Sequence, residues 1–169
     1  RWAGGPAAET VSPVLTAWDL KQFAYCPRVL FYALCMPVKR YTPPKVRIGT
    51  DGHGRGARLA RRRSGRRCGF GRAEKRFEER GASARLGLSG TADMVLDAGA
   101  EVAPVEFKMS GRGPAPNVRA QMAAYAVMLE ETLGKPARRG FLVEIPHMQI
   151  YPIEIEQADV AALESRVAS

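Results

Sequence analysis

Two carboxylates and a lysine near the middle of the chain are the residue types that metal-dependent phosphodiester hydrolysis requires. They are Asp93, Glu106 and Lys108. Carboxylate oxygens are preferred ligands of Mg²⁺ and Mn²⁺, and such an ion polarises a phosphoryl group and lowers the pKa of a bound water. A nearby ammonium group can orient that water or stabilise the pentavalent phosphate. The alternative is a surface hairpin whose three charges are simply solvated.

The sequence around these residues predicts the β-hairpin that would bring them together. Asp93 begins one apolar run, residues 97–100 form a Gly-containing turn, and a second apolar run ends at Phe107. Because side chains alternate along a strand, Glu106 and Lys108 share one face and Phe107 takes the other. We therefore expect Asp93 to lie beside the other two charged residues on one β-scaffold.

The composition of the chain favours an anionic partner. It has 26 basic and 17 acidic residues, a net charge of +9 and a pI near 9.9, and nucleic acid is the commonest partner of such a protein. The hydrophobic content of 46% and charged content of 25% are ordinary for a globular protein. No apolar run approaches the length of a membrane span, no signal peptide is recognisable, and three cysteines make no disulfide framework. We therefore expect a cytoplasmic protein with no membrane partner.

One segment after residue 50 is dense in arginine. Its members are Arg55, Arg58, Arg61, Arg62, Arg63, Arg66 and Arg67. A solvated face would need fewer arginines and more interleaved acids, so phosphate contact with release of counterions is the better explanation. Such contacts track the DNA backbone and do not read bases. The loop after Lys108 is rich in Gly and Pro, and its Arg112 is a further candidate for DNA contact.

Four other side chains have both a functional and an ordinary interpretation. His53 either completes a carboxylate metal site or lies on the surface. Gln121 and Tyr125, four residues apart on a predicted helix, share one side; either they face the carboxylates and bind a phosphate or a metal-bound water, or Gln121 is exposed and Tyr125 is core. Cys26 is either a small buried hydrophobe or a metal or iron–sulfur ligand, which would need companions.

The remaining patterns predict an α/β fold with a mixed sheet flanked by helices. Residues 1–13 read as a flexible tail. Thr16 and Asp19 form a predicted capping box, and the helix that they begin ends before Cys26-Pro27. The predicted helices are 16–25, 28–34, about 46–63, 117–133 and 157–167, and the predicted strands are 72–77, 82–88, 93–96, 102–107, 138–145 and 148–155.

Several of these residues together resemble a known family. Gly49 to His53, Gly90 to Asp93, Glu106 to Lys108 and Gln121 to Tyr125 are similar to the four motifs of RecB-type nucleases in the PD-(D/E)XK superfamily. Leu20 to Arg28 is similar to the N-terminal segment of the CRISPR-associated RecB-like exonucleases, the fourth Cas protein family. The likeness implies a restriction-endonuclease-like PD-(D/E)XK core. It divides residues 14–169 into a helical segment to about 70, a nuclease core to about 155 and a closing helix.

The resemblance also implies a function. It assigns metal ligation to Asp93, Glu106, His53 and the backbone carbonyl of Phe107, water positioning to Lys108, and support of the site and the scissile strand to Gln121 and Tyr125. The family implies a Mg²⁺- or Mn²⁺-dependent deoxyribonuclease, an exonuclease or an endonucleolytic trimmer. It would shorten single-stranded or overhang DNA and act with the CRISPR integrase complex. Two alternatives are a non-catalytic DNA-binding adaptor that recognises the ends of such fragments and a RecB-like repair or phage nuclease.

One feature of the sequence departs from the family pattern. The resemblance implies a four-iron four-sulfur cluster held by one cysteine near the N-terminus and three near the C-terminus. Cys26 matches the first position, but no cysteine follows Cys68. A cluster lobe is therefore absent from this chain, and the cluster is expected only if a longer protein supplies the missing cysteines.

Overall fold

The structure is a computed structural model that describes residues 15–36, 54–62, 65–109, 113–145 and 147–168. The predicted tail, His53, Arg63 and Arg112 lie outside these ranges. Within them the helices are α1 (Ala17–Tyr25), α2 (Pro27–Cys35), α3 (54–61), α4 (Pro116–Leu133) and α5 (Gln157–Ala168), with a 3₁₀ turn at Gly65–Cys68. The strands are β1 (Leu15–Thr16), β2 (Glu74–Ser83), β3 (Leu88–Asp97), β4 (Val102–Lys108), β5 (Arg139–Glu144) and β6 (Gln149–Glu154).

The six strands form one mixed sheet. The β3–β4 and β5–β6 pairs are antiparallel hairpins, whereas β4 and β5 are parallel. Parallel neighbours need a long crossover connection, and α4 provides it. The predicted hairpin and the mixed sheet are confirmed. The predicted helices are confirmed too, except that residues 46–53 of the helix predicted at about 46–63 lie outside the described residues.

The edge of β3 that faces β4 is interrupted. Strand β2 pairs along one edge of β3. Strands β1 and β4 therefore both pair along the opposite edge of β3. Strand β1 pairs with Leu88 and Ser89, and β4 pairs only from Met94 to Asp97. Residues 90–93 therefore lie between two partner strands, and the sheet opens beside Asp93.

The prediction of a separate strand at 82–88 was wrong. Strand β2 is one continuous strand that ends at Ser83, and a turn at 84–87 leads directly into β3. Gly87 has a φ of 61°, a conformation that glycine adopts without steric cost, and the Leu86 N–H donates to the Ser83 hydroxyl. The alternation of small and apolar residues looked like a strand, but these local bonds close a turn.

The first helix begins at the predicted capping box. The Thr16 hydroxyl accepts a hydrogen bond from the Asp19 N–H at 3.1 Å, and the Asp19 carboxylate accepts one from the Thr16 N–H at 2.9 Å. These reciprocal bonds satisfy donors that a helix start leaves free. Because Thr16 also ends β1, the capping box fixes α1 at the interrupted edge of β3.

Helix α4 is buried more completely than its sequence indicates. It ends at the predicted glycine, Gly134, whose φ is 66°. The sequence predicted one apolar face, but residues 120–129 are all buried. The reason is that α4 contacts the sheet on one side and both α1 and α5 on others, so a helix rich in alanine is enclosed all round.

Helix α3 covers the other face of the sheet. Gly56 of α3 lies against Phe107, and a Cβ on this glycine would be 2.8 Å from the ring. The absence of a side chain therefore allows α3 to approach β4 closely. Phe70 and Phe141 meet edge to face in the same core, with ring centroids 5.9 Å apart. Among the described residues, no helix is long and apolar enough to span a bilayer.

Candidate active site

Strand β4 separates the charged residues from the apolar one, as predicted. Phe107 points into the core under α3. Glu106 points to the opposite face, where it is 2% exposed and lies near α4. A carboxylate so well buried needs hydrogen-bond partners, and the neighbouring residues provide them.

Asp93 reaches β4 through its side chain. The last β3–β4 backbone pair is Met94 with Val105, and one step further the Asp93 Oδ2 accepts the Phe107 N–H at 2.8 Å. The N–H and C=O of one strand residue point to the same edge, so the Phe107 carbonyl also faces the opening in the sheet. Asp93 thus lies beside Glu106, as the hairpin predicted, and the Phe107 carbonyl, which only the resemblance implied, faces the same opening.

A hydrogen-bonded chain runs from Lys108 to α4. The Lys108 Nζ donates to one Glu106 oxygen. The Tyr125 hydroxyl lies 3.4 Å from the second oxygen of Glu106, Oε2. The Gln121 Nε2 in turn donates to the Tyr125 hydroxyl at 2.8 Å. Gln121 is 4% exposed, which excludes the alternative of an exposed Gln121. Its Oε1 is a buried acceptor that has no partner among the described residues, so it can accept from a bound water or substrate.

Charge and burial set the protonation of this chain. Burial lowers the pKa of Lys108, but the Glu106 carboxylate outweighs it, and the net pKa lies above the usual value. Burial and the Glu106 charge raise the pKa of the Tyr125 hydroxyl well above its usual range. Both groups therefore keep their protons at neutral pH and act as hydrogen-bond donors, not as bases.

Lys21 is a site residue that the sequence analysis missed. Helix α1 places this half-buried lysine next to Lys108. Burial, and then the positive charge of Lys108, lower the pKa of Lys21 to about 8. Lys21 belongs to the Leu20 to Arg28 segment that carries the family resemblance, but that likeness gave it no role. The two lysines are 87 positions apart in the chain and meet only when α1 packs at the opening of the sheet.

The two lysines line an open cavity of about 540 Å³. The first residues of α4, from Pro116 to Val118, form part of its wall. Gly113 also contributes, and its N–H donates to the buried carboxylate of Glu144 at 2.9 Å. The cavity therefore connects the charged residues of β4 with solvent.

The predicted DNA-binding arginines lie on a different surface. Arg55, Arg58 and Arg62 surround a shallow hollow on α3, and Arg66 and Arg67 are exposed in the 3₁₀ turn. Arg61 is 4.3 Å above the ring of Phe77, a cation–π contact that also stabilises the fold. Since α3 covers the Phe107 face of β4, this basic surface lies on the other side of the sheet from Glu106 and does not line the cavity.

The carboxylate pair fits a Mg²⁺ or Mn²⁺ ion, because Mg²⁺ is commonly bound by one or two carboxylates and several waters. No group of three His, Cys, Asp or Glu residues within the described ranges could hold a metal; the proposed third ligand, His53, lies outside them. Cys26 and Cys68 are half-buried and Cys35 is exposed. The described cysteines therefore form no cluster site with each other.

No protein-family model matches the chain. Two curated proteins do match, and both are named CRISPR-associated exonuclease Cas4. The protein from Francisella tularensis subsp. novicida strain U112 is 30% identical over 123 residues, which cover 73% of this chain and 63% of the relative. The protein from Aeropyrum pernix is 32% identical over 147 residues, which cover 80% of this chain and 70% of the relative. The chain belongs to the Cas4 family. It spans less than two thirds of the Francisella protein.

Two solved structures share the fold of this Cas4-family chain. The protein SSO0001 has a TM-score of 0.51 at 15% identity and covers 90% of this chain and 74% of its own. A protein from Eubacterium rectale, named as a candidate exonuclease, has a TM-score of 0.56 at 9% identity. The match covers 97% of this chain and 83% of the Eubacterium chain. These similarities confirm the restriction-endonuclease-like fold, and the curated relatives confirm the predicted family.

Proposed function

We propose that this protein is a divalent-metal-dependent deoxyribonuclease. It trims single-stranded overhangs of DNA fragments before an integrase inserts them into a CRISPR array. The observation that carries the proposal is the convergence of Asp93, Glu106 and Lys108 where β3 and β4 separate. Membership of the Cas4 family supports it, since the two curated relatives are named exonucleases.

The proposed roles rest on the contacts of the described residues and, for His53 and the Phe107 carbonyl, on the family resemblance. Asp93 and Glu106 would hold Mg²⁺ or Mn²⁺, together with His53 and the Phe107 carbonyl, and the ion would polarise the scissile phosphate and acidify a water. The Lys108 ammonium donates to that water or to the phosphate.

The residues of α4 support the carboxylates. The Tyr125 hydroxyl, which stays protonated, orients one oxygen of Glu106. The Oε1 of Gln121, which has no partner among the described residues, accepts a hydrogen bond from a bound water. Such supporting hydrogen bonds set the geometry of the metal ligands.

DNA as the substrate agrees with the charge of the chain. The net charge is +9, and the exposed arginines on α3 and the 3₁₀ turn form a basic surface on the other face of the sheet. A strand that tracks this surface would contact phosphates without base recognition. The integrase as partner rests on the family alone.

A cleavage assay on end-labelled single-stranded and overhang DNA tests the proposal. With Mn²⁺ or Mg²⁺, Lys108→Ala and Asp93→Ala should each reduce the cleavage rate by about 10³ or more, as expected for loss of a group that acts on the transition state. Both variants should still bind DNA. Asp159→Ala is the matched control, because this carboxylate lies in the first turn of α5, where it pairs with Arg119 and accepts the Glu156 N–H, and it should cleave like the wild type.

The outcomes separate the two main functions. If the wild type cleaves and the two active-site variants cleave equally well, the site assignment is wrong. If the wild type binds DNA in a salt-sensitive manner but cuts nothing with either metal, the protein is a DNA-binding adaptor. Adding the purified integrase to the assay tests the partner, because the trimmed length should change when the integrase protects the duplex.

A further inference from the structure

Two positively charged side chains converge at one end of the cavity. Lys21 comes from α1 and Lys108 from β4, and their ammonium groups are neighbours. Like charges at short range repel, most strongly where protein replaces water. The lowered pKa of Lys21 is a sign of that repulsion and of burial. A fold that holds two ammonium groups together at an open cavity is suited to an anion between them.

The local charges show when an anion is needed. Without metal, the two ammonium groups balance the carboxylates of Asp93 and Glu106. A divalent cation on the carboxylates would leave two unbalanced positive charges. The negative charge of a phosphodiester would offset part of this excess, so a bound cation on the carboxylates would favour an anionic substrate between the two lysines.

The shape of the cavity points to a nucleotide as the ligand. Its volume of about 540 Å³ is within the range of roughly 300–1,000 Å³ that small-molecule sites occupy. Lys108 reaches both Glu106 and the cavity, whereas Lys21 lies on the cavity side with Tyr25, one helical turn further along α1. Lys21 is therefore placed to contact a part of the strand beside the reacting phosphate.

We propose that Lys21 and Lys108 form a phosphate subsite and that Lys21 binds the phosphate next to the scissile one. The inference rests on the proposed nuclease function and specifies how the same site holds its substrate. Lys108 acts in cleavage, and Lys21 acts in binding and in positioning the strand. Lys21→Met should therefore raise KM more than it lowers kcat, while Lys21→Arg should restore most of the affinity.

The binding test uses single-stranded DNA without cleavage. Affinity is measured against salt concentration with Ca²⁺ in place of Mg²⁺ or Mn²⁺, so that the carboxylates carry a divalent cation, with fluorescence anisotropy of a labelled oligonucleotide. Each phosphate contact on a single strand contributes about 0.7 to the slope of log K against log salt. The slope for Lys21→Met should fall by about this amount. Arg138→Met is the control for the loss of one positive charge. Arg138 is exposed and directly precedes β5, whereas Lys108 pairs with Glu144 at the opposite end of that strand. This variant should leave the slope unchanged.

A modified substrate identifies the phosphate. In a series of oligonucleotides, each carrying one uncharged methylphosphonate, one position should weaken binding to the wild type but not to Lys21→Met. Such non-additivity is the signature of a direct contact. That position should adjoin the bond that the wild type cuts.

A purely structural role of Lys21 predicts different results. Removing a repelling charge should leave the thermal unfolding temperature of Lys21→Met unchanged or higher, and a clear fall would overturn the subsite. An unchanged salt slope, or additive effects at every methylphosphonate, would also overturn it. These binding results do not depend on cleavage. A wild type that binds as described but cuts nothing would instead refute the proposed nuclease function.

Discussion

Tyr125→Phe is the most direct test of the hydrogen-bonded chain that fixes Glu106. The substitution removes only the hydroxyl, which accepts from the Gln121 Nε2 at 2.8 Å and lies 3.4 Å from the Glu106 carboxylate. Tyr125 is 5% exposed, so the phenylalanine ring keeps the same apolar contacts. The effect therefore reports the polar network alone.

The size of the effect follows from what is left unpaired. The Gln121 amide would lose its partner in a site where that residue is 4% exposed, and an unsatisfied buried donor costs about 1–3 kcal/mol. The 3.4 Å contact to Glu106 adds little, because it is longer than an ordinary O–H···O bond. We expect a loss of about 2 kcal/mol of unfolding free energy, which lowers the urea midpoint by about 1 M.

The metal requirement should change as well. Loss of a group that orients a metal ligand typically weakens metal affinity by about 10–100-fold. The Mn²⁺ concentration for half-maximal cleavage should therefore rise by at least about tenfold, and excess metal should restore most of the rate. Urea unfolding by circular dichroism and a metal titration of the cleavage assay measure the two effects.

Tyr151→Phe is the matched control. The Tyr151 hydroxyl lies 3.3 Å from the Glu144 carboxylate. Because Tyr151 is only half-buried, a water molecule can take the place of the lost hydroxyl. Its unfolding free energy should change by less than about 0.5 kcal/mol, and its metal requirement should not change. If Tyr125→Phe behaves like Tyr151→Phe in both assays, the chain from Lys108 to α4 does not support the site.

Three further substitutions test the fold around the site, each by urea unfolding. Gly56→Ala should lose about 1–3 kcal/mol, because its methyl group would be 2.8 Å from Phe107. A hydrogen bond from Lys135 holds the pKa of Asp97 below its usual value. Asp97→Asn should therefore lose about 2 kcal/mol at neutral pH, and the loss should shrink as the pH falls below about 4. Glu78→Gly should gain up to about 1 kcal/mol, because Glu78 has a φ of 53° beside the site.

Each of these substitutions has a control in a comparable place. Gly54→Ala lies on the same helix but makes only ordinary contacts, so it should be neutral or gain up to about 1 kcal/mol; equal losses at both glycines would refute the close packing. Asp159→Asn breaks a more exposed ion pair and should change stability by less than about 1 kcal/mol. A pH-independent loss for Asp97→Asn would exclude the ion pair as its cause. Glu79→Gly is the control for Glu78→Gly, because Glu79 pairs regularly with Ala92. It should lose stability, and a gain would contradict the idea that backbone strain is specific to Glu78.

Local patterns predicted much of the fold because the interactions that they report are themselves local. The capping box of Thr16 and Asp19 spans four residues, and the end of α4 at Gly134 depends on one backbone conformation. The β3–β4 hairpin follows from two alternating runs and a short turn. Alternation also placed Phe107 opposite Glu106, and this face assignment is what gathers the charged groups.

Patterns failed where contacts between distant segments decide the outcome. The error at 82–88 is of another kind, because local features that the alternating pattern concealed, the φ of Gly87 and the bond from Leu86 to Ser83, close a turn at 84–87. The amphipathic pattern of α4 did not reveal its full burial, because α1 and α5 cover its outer side. Lys21 was missed for the same reason, since nothing in its own helix indicates a partner in β4.

The sequence by itself determined the residue types for the chemistry, the hairpin that carries them and the family resemblance, since these depend on side-chain alternation and motif order. Only the tertiary structure decided that β3 and β4 separate at Asp93, that Tyr125 and Gln121 are buried against Glu106, and that a second lysine meets Lys108. The physical reason is that a strand or a turn is set by neighbours in the chain, whereas a site is set by which surfaces the packing of the whole chain brings into contact.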